Sequence, residues 1–244
     1  MSSWAGCEIR REKTVDSTNL AARRWAKDGA PHGAVVVAEM QTAGRGRRGR
    51  EWSTSPGMGL WLSIVLRPKI PVESYPLLPL LVALAGAEAC GQVTGADVRI
   101  KWPNDLVLSG RKITGILAER EGDAVVVGIG INVRQRAEDF PPELREKAGS
   151  LEMLTGQMVS LNALEAALLA RIEHHADRMD FLTAYEARCA TIGARVCVVE
   201  TLQTFEGTAE GLDPMGALLV RDDEETLRRV LAADVSVRGM MGYV

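Results

Sequence analysis

The chain has 244 residues, 46% of them hydrophobic and 25% charged, with a formal net charge of −3. That supplies a core for one large domain, or for one domain and a small companion, and the mildly acidic balance argues against a chain given over to nucleic acid. No apolar run approaches the ~20 residues of a membrane span and Met1 to Lys13 is mixed polar, without a signal-peptide core, so a cytoplasmic protein with no membrane partner is expected.

Asp16-Ser17-Thr18-Asn19 offers N-cap residues to a helix predicted to run to Lys27, broken after it by Gly29, Pro31 and Gly33. Val35 to Val37 is a short strand, and residues 60–66 form the next, ended by Pro68 and Pro71. Residues 77–92, rich in Leu and Ala, read as a buried helix, and Val98 to Lys101 as a strand. Trp102-Pro103-Asn104-Asp105 is a bend, because Pro103 lacks a donor and biases Trp102 away from helix. Leu106 to Leu108, the turn Ser109-Gly110 and Lys112 to Glu119 read as a hairpin, and Ala124 to Val133 as a further strand. Residues 134–160 are irregular with a short helix near 143–154, and 161–188 reads as one amphipathic helix. His174 and His175 fall inside it and read as packing or solvated residues; His32 lies in no suggestive setting. Cys7, Cys90, Cys189 and Cys197 show no C-x-x-C pair and read as reduced, mostly buried thiols.

After Ile192-Gly193 the texture changes. Short apolar pieces (Val196 to Val199, Thr208 to Leu212, Leu218 to Val220, Leu227 to Leu231, Val235 to Val237) alternate with turn signals such as Glu206-Gly207 and Asp213-Pro214. That spacing predicts a small all-β barrel and a boundary near residue 192, dividing the chain into 1–191 and 192–244.

The segment Gln41-Thr42-Ala43-Gly44-Arg45-Gly46-Arg47-Arg48-Gly49-Arg50-Glu51-Trp52 places four arginines and three glycines within 44–50. Glycines admit close backbone approach, and guanidinium forks match carboxylate and phosphate. The segment is built to hold an anion. Gly44 to Gly49 formally satisfies G-x-G-x-x-G, but no helix opens after it and positions 64–70 hold no acid, which a dinucleotide site needs. A P-loop lacks its Gly-Lys-Ser/Thr ending, and a kinase lacks His-Arg-Asp and Asp-Phe-Gly. Two readings stay open from the loop alone: an RNA-binding arginine loop with Trp52 stacking a base, and a solvated surface loop.

Taken in order, Asp16 to Asn19, Gln41 to Trp52, Lys101-Trp102-Pro103-Asn104-Asp105, Arg111-Lys112-Ile113-Thr114-Gly115-Ile116-Leu117 and Gly128-Ile129-Gly130-Ile131-Asn132-Val133 resemble the biotin protein ligases, the biotin–acetyl-CoA-carboxylase ligases, over nearly the whole chain. The resemblance implies an α/β (α+β) fold, with a mixed-sheet catalytic domain similar to class II aminoacyl-tRNA synthetases and a C-terminal SH3-like barrel. It implies biotin and ATP as substrates with Mg²⁺, biotinyl-5′-AMP as intermediate, and a lysine of a biotin carboxyl carrier protein of acetyl-CoA carboxylase as acceptor. Too few residues precede Asp16 for the helix-turn-helix that some members carry, so a monofunctional ligase without DNA binding is expected, as monomer or homodimer.

The same resemblance distributes roles. Adenylation forces a carboxylate towards a triphosphate, which calls for preorganised cations: Arg45, Arg47 and above all Lys112, bridging the biotin carboxylate and the α-phosphate. Ser17, Thr18 and Gln41 supply the donors and acceptors that a ureido ring needs, with Asn19 orienting them. Helix capping is the competing role for Ser17 and Thr18. Arg45, Gly46 and Arg47 wrap the ligand, while Arg48 and Arg50 face solvent or pyrophosphate. Gly115, Ile116 and Leu117 line the pocket; Trp52, Asn104, Gly130 and Asn132 serve the ATP side. Trp61 and Trp102 read as core or pocket wall. Lys101, Asn104 and Asp105 act around the α-phosphate and the incoming lysine, and for Asp105 orientation, deprotonation and metal binding stay open; no metal ligands are assigned. Two departures from the family pattern are Gly59, where asparagine is usual, and the alanines of Ala232-Ala233-Asp234-Val235, where glycines are common. The competing functions are a lipoate–protein ligase, which lacks this Gly-Arg pattern, a non-catalytic RNA-binding module, and an inert biotin sensor, against which the intact Lys112 argues.

Overall fold

The structure, a computed structural model, describes residues 8–199, 204–232 and 236–239. Twelve strands and five α-helices are named among the described residues. The first seven strands form one mixed sheet in the order β1-β2-β3-β7-β6-β5-β4. They are β1 (Ile9–Val15), β2 (Val35–Gln41), β3 (Gly59–Leu66), β4 (Arg99–Lys101), β5 (Asp105–Leu108), β6 (Arg111–Glu121) and β7 (Ala124–Asn132). Only β1 and β2 run parallel; every other pair is antiparallel.

Every residue of β3 is buried, as expected for a central strand covered on both faces. On one face lies α1 (Thr18–Lys27), whose buried Thr18, Asn19, Ala22, Trp25 and Ala26 recur at helical spacing. Ala22, Trp25 and Ala26 join Val36, Val65 and Val126 in a small core. The other face is covered by α2 (Leu77–Thr94) and α4 (Leu161–Arg178). With its leading turn, α2 spans Val72–Thr94 and is long and apolar enough to cross a membrane, contrary to the expectation that no run approaches that length. It is a core helix, apolar all round and mostly buried in the fold.

The helix expected over 161–188 is two helices. α4 ends at Met179, which adopts φ 54° and donates its N–H to the His175 carbonyl. The turn lets Phe181 and Tyr185 enter the core from α5 (Leu182–Arg188). Tyr185 Oη donates to the Pro103 carbonyl at 3.1 Å, so the redirected helix supports the 102–105 bend from below. In place of the helix expected near 143–154 there is a 3-10 turn at Pro142–Leu144 and the short α3 (Leu151–Thr155), capped by Ser150. Cys90, Cys189 and Cys197 are free thiols, and burial pushes Cys90 up to about 12; Cys7 lies outside the described residues.

Beyond residue 194 the chain forms a five-stranded antiparallel sheet in the order β11-β10-β9-β8-β12. Its strands are β8 (Arg195–Val199), β9 (Thr204–Leu212), β10 (Leu218–Asp222), β11 (Leu227–Val230) and β12 (Ser236–Gly239). Val235, expected in the last strand, lies outside the described residues, as do Ala233 and Asp234. The sheet docks on the larger layer: Trp102 Nε1 donates to the Gly216 carbonyl at 3.1 Å, and the Leu212 N–H donates to Glu186 Oε1 at 2.7 Å.

Replacing Tyr185 by Phe removes one buried hydrogen bond at constant packing. Urea unfolding of Tyr185→Phe is expected to show a loss of about 1 kcal/mol; an unchanged midpoint would mean that the Pro103 carbonyl is supported otherwise.

Candidate active site

The face of the sheet that carries α1 has glycine at three of its six central positions. Trp61, Gly130 and Gly115 are paired across β3, β7 and β6, and one rung away stand Ser63, Gly128 and Leu117. Two residues along a strand separate the rungs, about 7 Å. A Cβ on Gly115 would lie 2.8 Å from the Trp52 ring and one on Gly130 2.7 Å from its Nε1. A Cβ on Gly128 would lie 2.1 Å from Asn19 Oδ1. The loop's tryptophan and the helix's asparagine therefore rest directly on the sheet, where only glycine leaves room. Trp52 meets Trp61 edge-on with centroids 6.4 Å apart, and both indole N–H groups are buried without an acceptor among the described residues. Gly59 has a related cause: a Cβ there would fall 2.5 Å from both the Trp61 ring and the Ile131 carbonyl.

The glycine–arginine segment closes as a hairpin over this floor. Trp52 N–H donates to the Gly44 carbonyl at 2.9 Å, Gly46 N–H to the Arg50 carbonyl at 2.7 Å, and Arg45 bridges Glu51. Its tip is a 3-10 turn, Arg47–Gly49, with Arg48 at φ 58° and Gly49 at φ 71°. Gly44 is required by the loop itself, since a Cβ would meet the Trp52 carbonyl at 2.2 Å. Arg48 and Arg50 are exposed.

Ser17 stands at the N-cap of α1, yet its hydroxyl makes no capping bond. Gln41 Oε1 does that work from β2, accepting the Thr18 N–H at 2.8 Å and the Thr18 hydroxyl at 3.1 Å. Gln41 is fixed in turn by Thr54, whose Oγ1 accepts the Gln41 N–H at 2.8 Å. Ser17 is buried as a residue, and neither its hydroxyl nor the Gln41 Nε2 amide has a hydrogen-bond partner among the described residues. Asn19 is different: its Oδ1 lies 2.6 Å from Ser63 Oγ, and its Nδ2 donates to the Leu117 carbonyl at 3.2 Å and Glu119 Oε2 at 3.0 Å. Its amide is fully engaged by protein, which suits an orienting residue.

Two other asparagines are similarly occupied. Asn104 Nδ2 donates to the Ile116 carbonyl at 2.6 Å and its Oδ1 accepts Arg47 Nη1 at 2.9 Å. Asn132 Nδ2 donates to the Gly149 carbonyl at 3.1 Å and its Oδ1 accepts Gln135 Nε2 at 3.1 Å. Gly149 and Lys147 then bracket Lys112, whose N–H donates to the Lys147 carbonyl and whose carbonyl accepts the Gly149 N–H. Asn132 thus steadies the backbone of Lys112 through its neighbours.

Lys112 Nζ lies 2.7 Å from Asp105 Oδ1 and 5.6 Å from the centroid of the Trp52 ring. Lys101 stands opposite Asp105 across the β4–β5 turn, which contains the cis Trp102–Pro103 peptide. Arg45 Nη1 lies 3.1 Å from Glu119 Oε1. Arg47 also donates to the Ala232 carbonyl. Burial pulls the Arg47 guanidinium below its ordinary value, opposed by Asp105 and reinforced by Arg48 and Arg50. Lys112, Arg45 and Arg47 are therefore each held by an acceptor of the protein itself. Among the described residues no three His, Cys, Asp or Glu side chains are grouped to hold a metal. Mg²⁺ needs no such cage, since it binds through one or two carboxylates and substrate phosphates.

Ser63, Thr54 and Glu119 were not singled out from the sequence. Ser63 left a signal, as the one polar residue within the apolar run 60–66; Glu119 left none.

Residues 11–135 match the biotin/lipoate A/B protein ligase family, and residues 191–238 match the biotin protein ligase C-terminal domain. The bifunctional ligase/repressor BirA of Bacillus spizizenii is 35% identical over 95% of this chain and 74% of its own length. The biotin–[acetyl-CoA-carboxylase] ligase of Mycobacterium tuberculosis is 36% identical over 89% of this chain and 84% of its own. The solved biotin protein ligase of Aquifex aeolicus in complex with biotin and ATP superposes with a TM-score of 0.84 at 30% identity, over 95% of this chain and 99% of that one.

Adding a methyl group to the glycine floor is expected to lift the Trp52 ring. Gly115→Ala and Gly130→Ala should each change the near-ultraviolet circular dichroism, and neither should do so in a Trp52→Phe background. A change that persists in that background would place the disturbance elsewhere.

Proposed function

The chain belongs to the biotin/lipoate A/B protein ligase family and has the activity of a biotin protein ligase, and from that premise we propose that it activates biotin with ATP and transfers it to one lysine of a biotin carboxyl carrier protein. In the first half-reaction a biotin carboxylate oxygen attacks the α-phosphorus of ATP, forming biotinyl-5′-AMP and releasing pyrophosphate. In the second the carrier lysine amine attacks the acyl carbon, the acyl–phosphate bond breaks, and AMP leaves with the bonding electron pair.

The observation that carries this reading is a neutral polar wall and a set of cations gathered at one glycine-floored trough. Ser17 and Gln41 have hydrogen-bonding groups left over once α1 is capped, which matches a neutral ring that both donates and accepts. Lys112, Arg45 and Arg47 supply the positive charge that lets a carboxylate meet a triphosphate. Lys112, fixed by Asp105 and the Lys147–Gly149 backbone, bridges the carboxylate and the α-phosphate. Asp105 orients that ammonium and is the carboxylate at hand to take a proton from the incoming lysine. Lys101 stands across from it at the same rung. Trp52, above the floor and beside Lys112, covers the nucleotide side, while Gly46 and Arg47 carry the loop over the adenylate and keep water from it. Gly115, Gly130 and Leu117 form the floor; Asn19, Asn104 and Asn132 hold its walls. Mg²⁺, held through the ATP phosphates, would supply further positive charge there.

These residues are proposed to act as a ligase without a repressor role. In favour stand two relatives at 36% identity, of Mycobacterium tuberculosis and Paracoccus denitrificans, that are named as ligases alone.

Incubation with biotin, ATP and a carrier domain should raise the carrier mass by one biotinyl group, and lipoate should not substitute. Lys112→Ala should form biotinyl-5′-AMP about a hundredfold more slowly; adenylate at the wild-type rate would remove Lys112 from its role. Operator-like DNA should not shift in a gel with biotin and ATP present, and a sequence-specific shift would overturn the ligase-only reading.

A further inference from the structure

One carboxylate links the head-group wall to the anion loop. Glu119 lies on the same face of β6 as Gly115 and Leu117, two residues beyond the floor. Its Oε2 accepts Asn19 Nδ2 at 3.0 Å; its Oε1 lies 3.2 Å from Arg23 Nη1 and 3.1 Å from Arg45 Nη1. Asn19 continues through Ser63, whose Oγ is 2.8 Å from Thr18 Oγ1, and Thr18 binds Gln41 Oε1. A polar chain thus runs from Gln41 through Thr18, Ser63 and Asn19 to Glu119, and there it meets the first arginine of the loop.

We propose that Glu119 is a positioning residue for the ligase reaction: it anchors Arg45, and with it the arm of the 44–52 loop, to the same asparagine that sets the head-group wall. The inference rests on the ligase reading. The exposure of the pair is unequal, 44% for the Arg45 side chain and 16% for Glu119, so the carboxylate is the fixed partner and the arginine the one brought to it. Glu119 engages one of the five N–H donors of Arg45, which leaves the others to meet an anion while the guanidinium is held. Arg23 has a second carboxylate, Glu121, at 2.8 Å, whereas Arg45 has no other acceptor among the described residues. Loss of Glu119 charge therefore releases Arg45 while Arg23 stays paired. An anchored loop arm retains the reactive adenylate; a released one lets it escape before the carrier arrives.

The test measures dissociation of biotinyl-5′-AMP from the full chain for the wild type, Glu119→Gln, Arg45→Ala, Arg23→Ala and the Glu119→Gln/Arg45→Ala double variant, with biotin-dependent pyrophosphate exchange of the wild type run alongside. Glu119→Gln is expected to release adenylate about tenfold faster. Arg45→Ala should do the same, the double variant should be no faster than Arg45→Ala alone, and Arg23→Ala should stay near the wild type. Glu119→Asp, which keeps the charge but shortens the reach, should fall between Glu119→Gln and the wild type, and it carries the test if the glutamine variant does not fold. Wild-type release in Glu119→Gln, additive effects with Arg45→Ala, or an equal effect of Arg23→Ala would overturn the anchor while leaving the ligase reading intact. A wild type with no biotin-dependent exchange would overturn both.

Discussion

The absence of side chains at three positions of the central sheet is the constraint on which the site depends. Gly115 and Gly130 face each other across β6 and β7, and Gly128 lies one rung away. Each has a side chain of another element pressed onto its Cα, Trp52 on the first two and Asn19 on the third. Packed interiors tolerate few added methylenes, so these glycines fix where the loop and the first helix can approach the sheet. The same strands carry Lys112 and Glu119 at either end of the floor, so the positions of the charged groups follow from the register of the sheet.

Electrostatics complete the arrangement. A site that brings a carboxylate to a triphosphate needs concentrated positive charge, yet unpartnered cations in a half-buried cleft are costly. Here three of the cations have a resident acceptor: Asp105 for Lys112, Glu119 for Arg45, Asn104 and the Ala232 carbonyl for Arg47. The charge is thereby held in place at modest desolvation cost before any substrate arrives, which is what preorganisation requires. The contact with Ala232 also ties the loop to the C-terminal segment, and Trp102 makes a second tie through Gly216.

Much of the architecture was legible because it rests on local rules. β3 and α2 are apolar runs of the right length, and the Ser109-Gly110 turn declares the β5–β6 hairpin. The first strand was not legible: β1 is an edge strand whose residues are mostly exposed, so Ile9–Val15 shows no alternation and is held by pairing with β2. Nor was the break at Met179, where no glycine or proline stands and the burial of Phe181 and Tyr185 decides the turn. At the site, motifs bring the cations and the glycines to notice, but motif membership does not say which way a side chain is used. Asn19, Asn104 and Asn132 belong to the motifs, and their amides are turned to protein partners. Glu119 belongs to no motif, because its role arises from three elements meeting at one carboxylate.

Adenylation of biotin at this trough is the claim on which everything else rests, and biotin-dependent ATP–pyrophosphate exchange on the purified protein, with lipoate as control, tests it most directly. The account predicts exchange with biotin and none with lipoate. No exchange with biotin, or equal exchange with both acids, would contradict it.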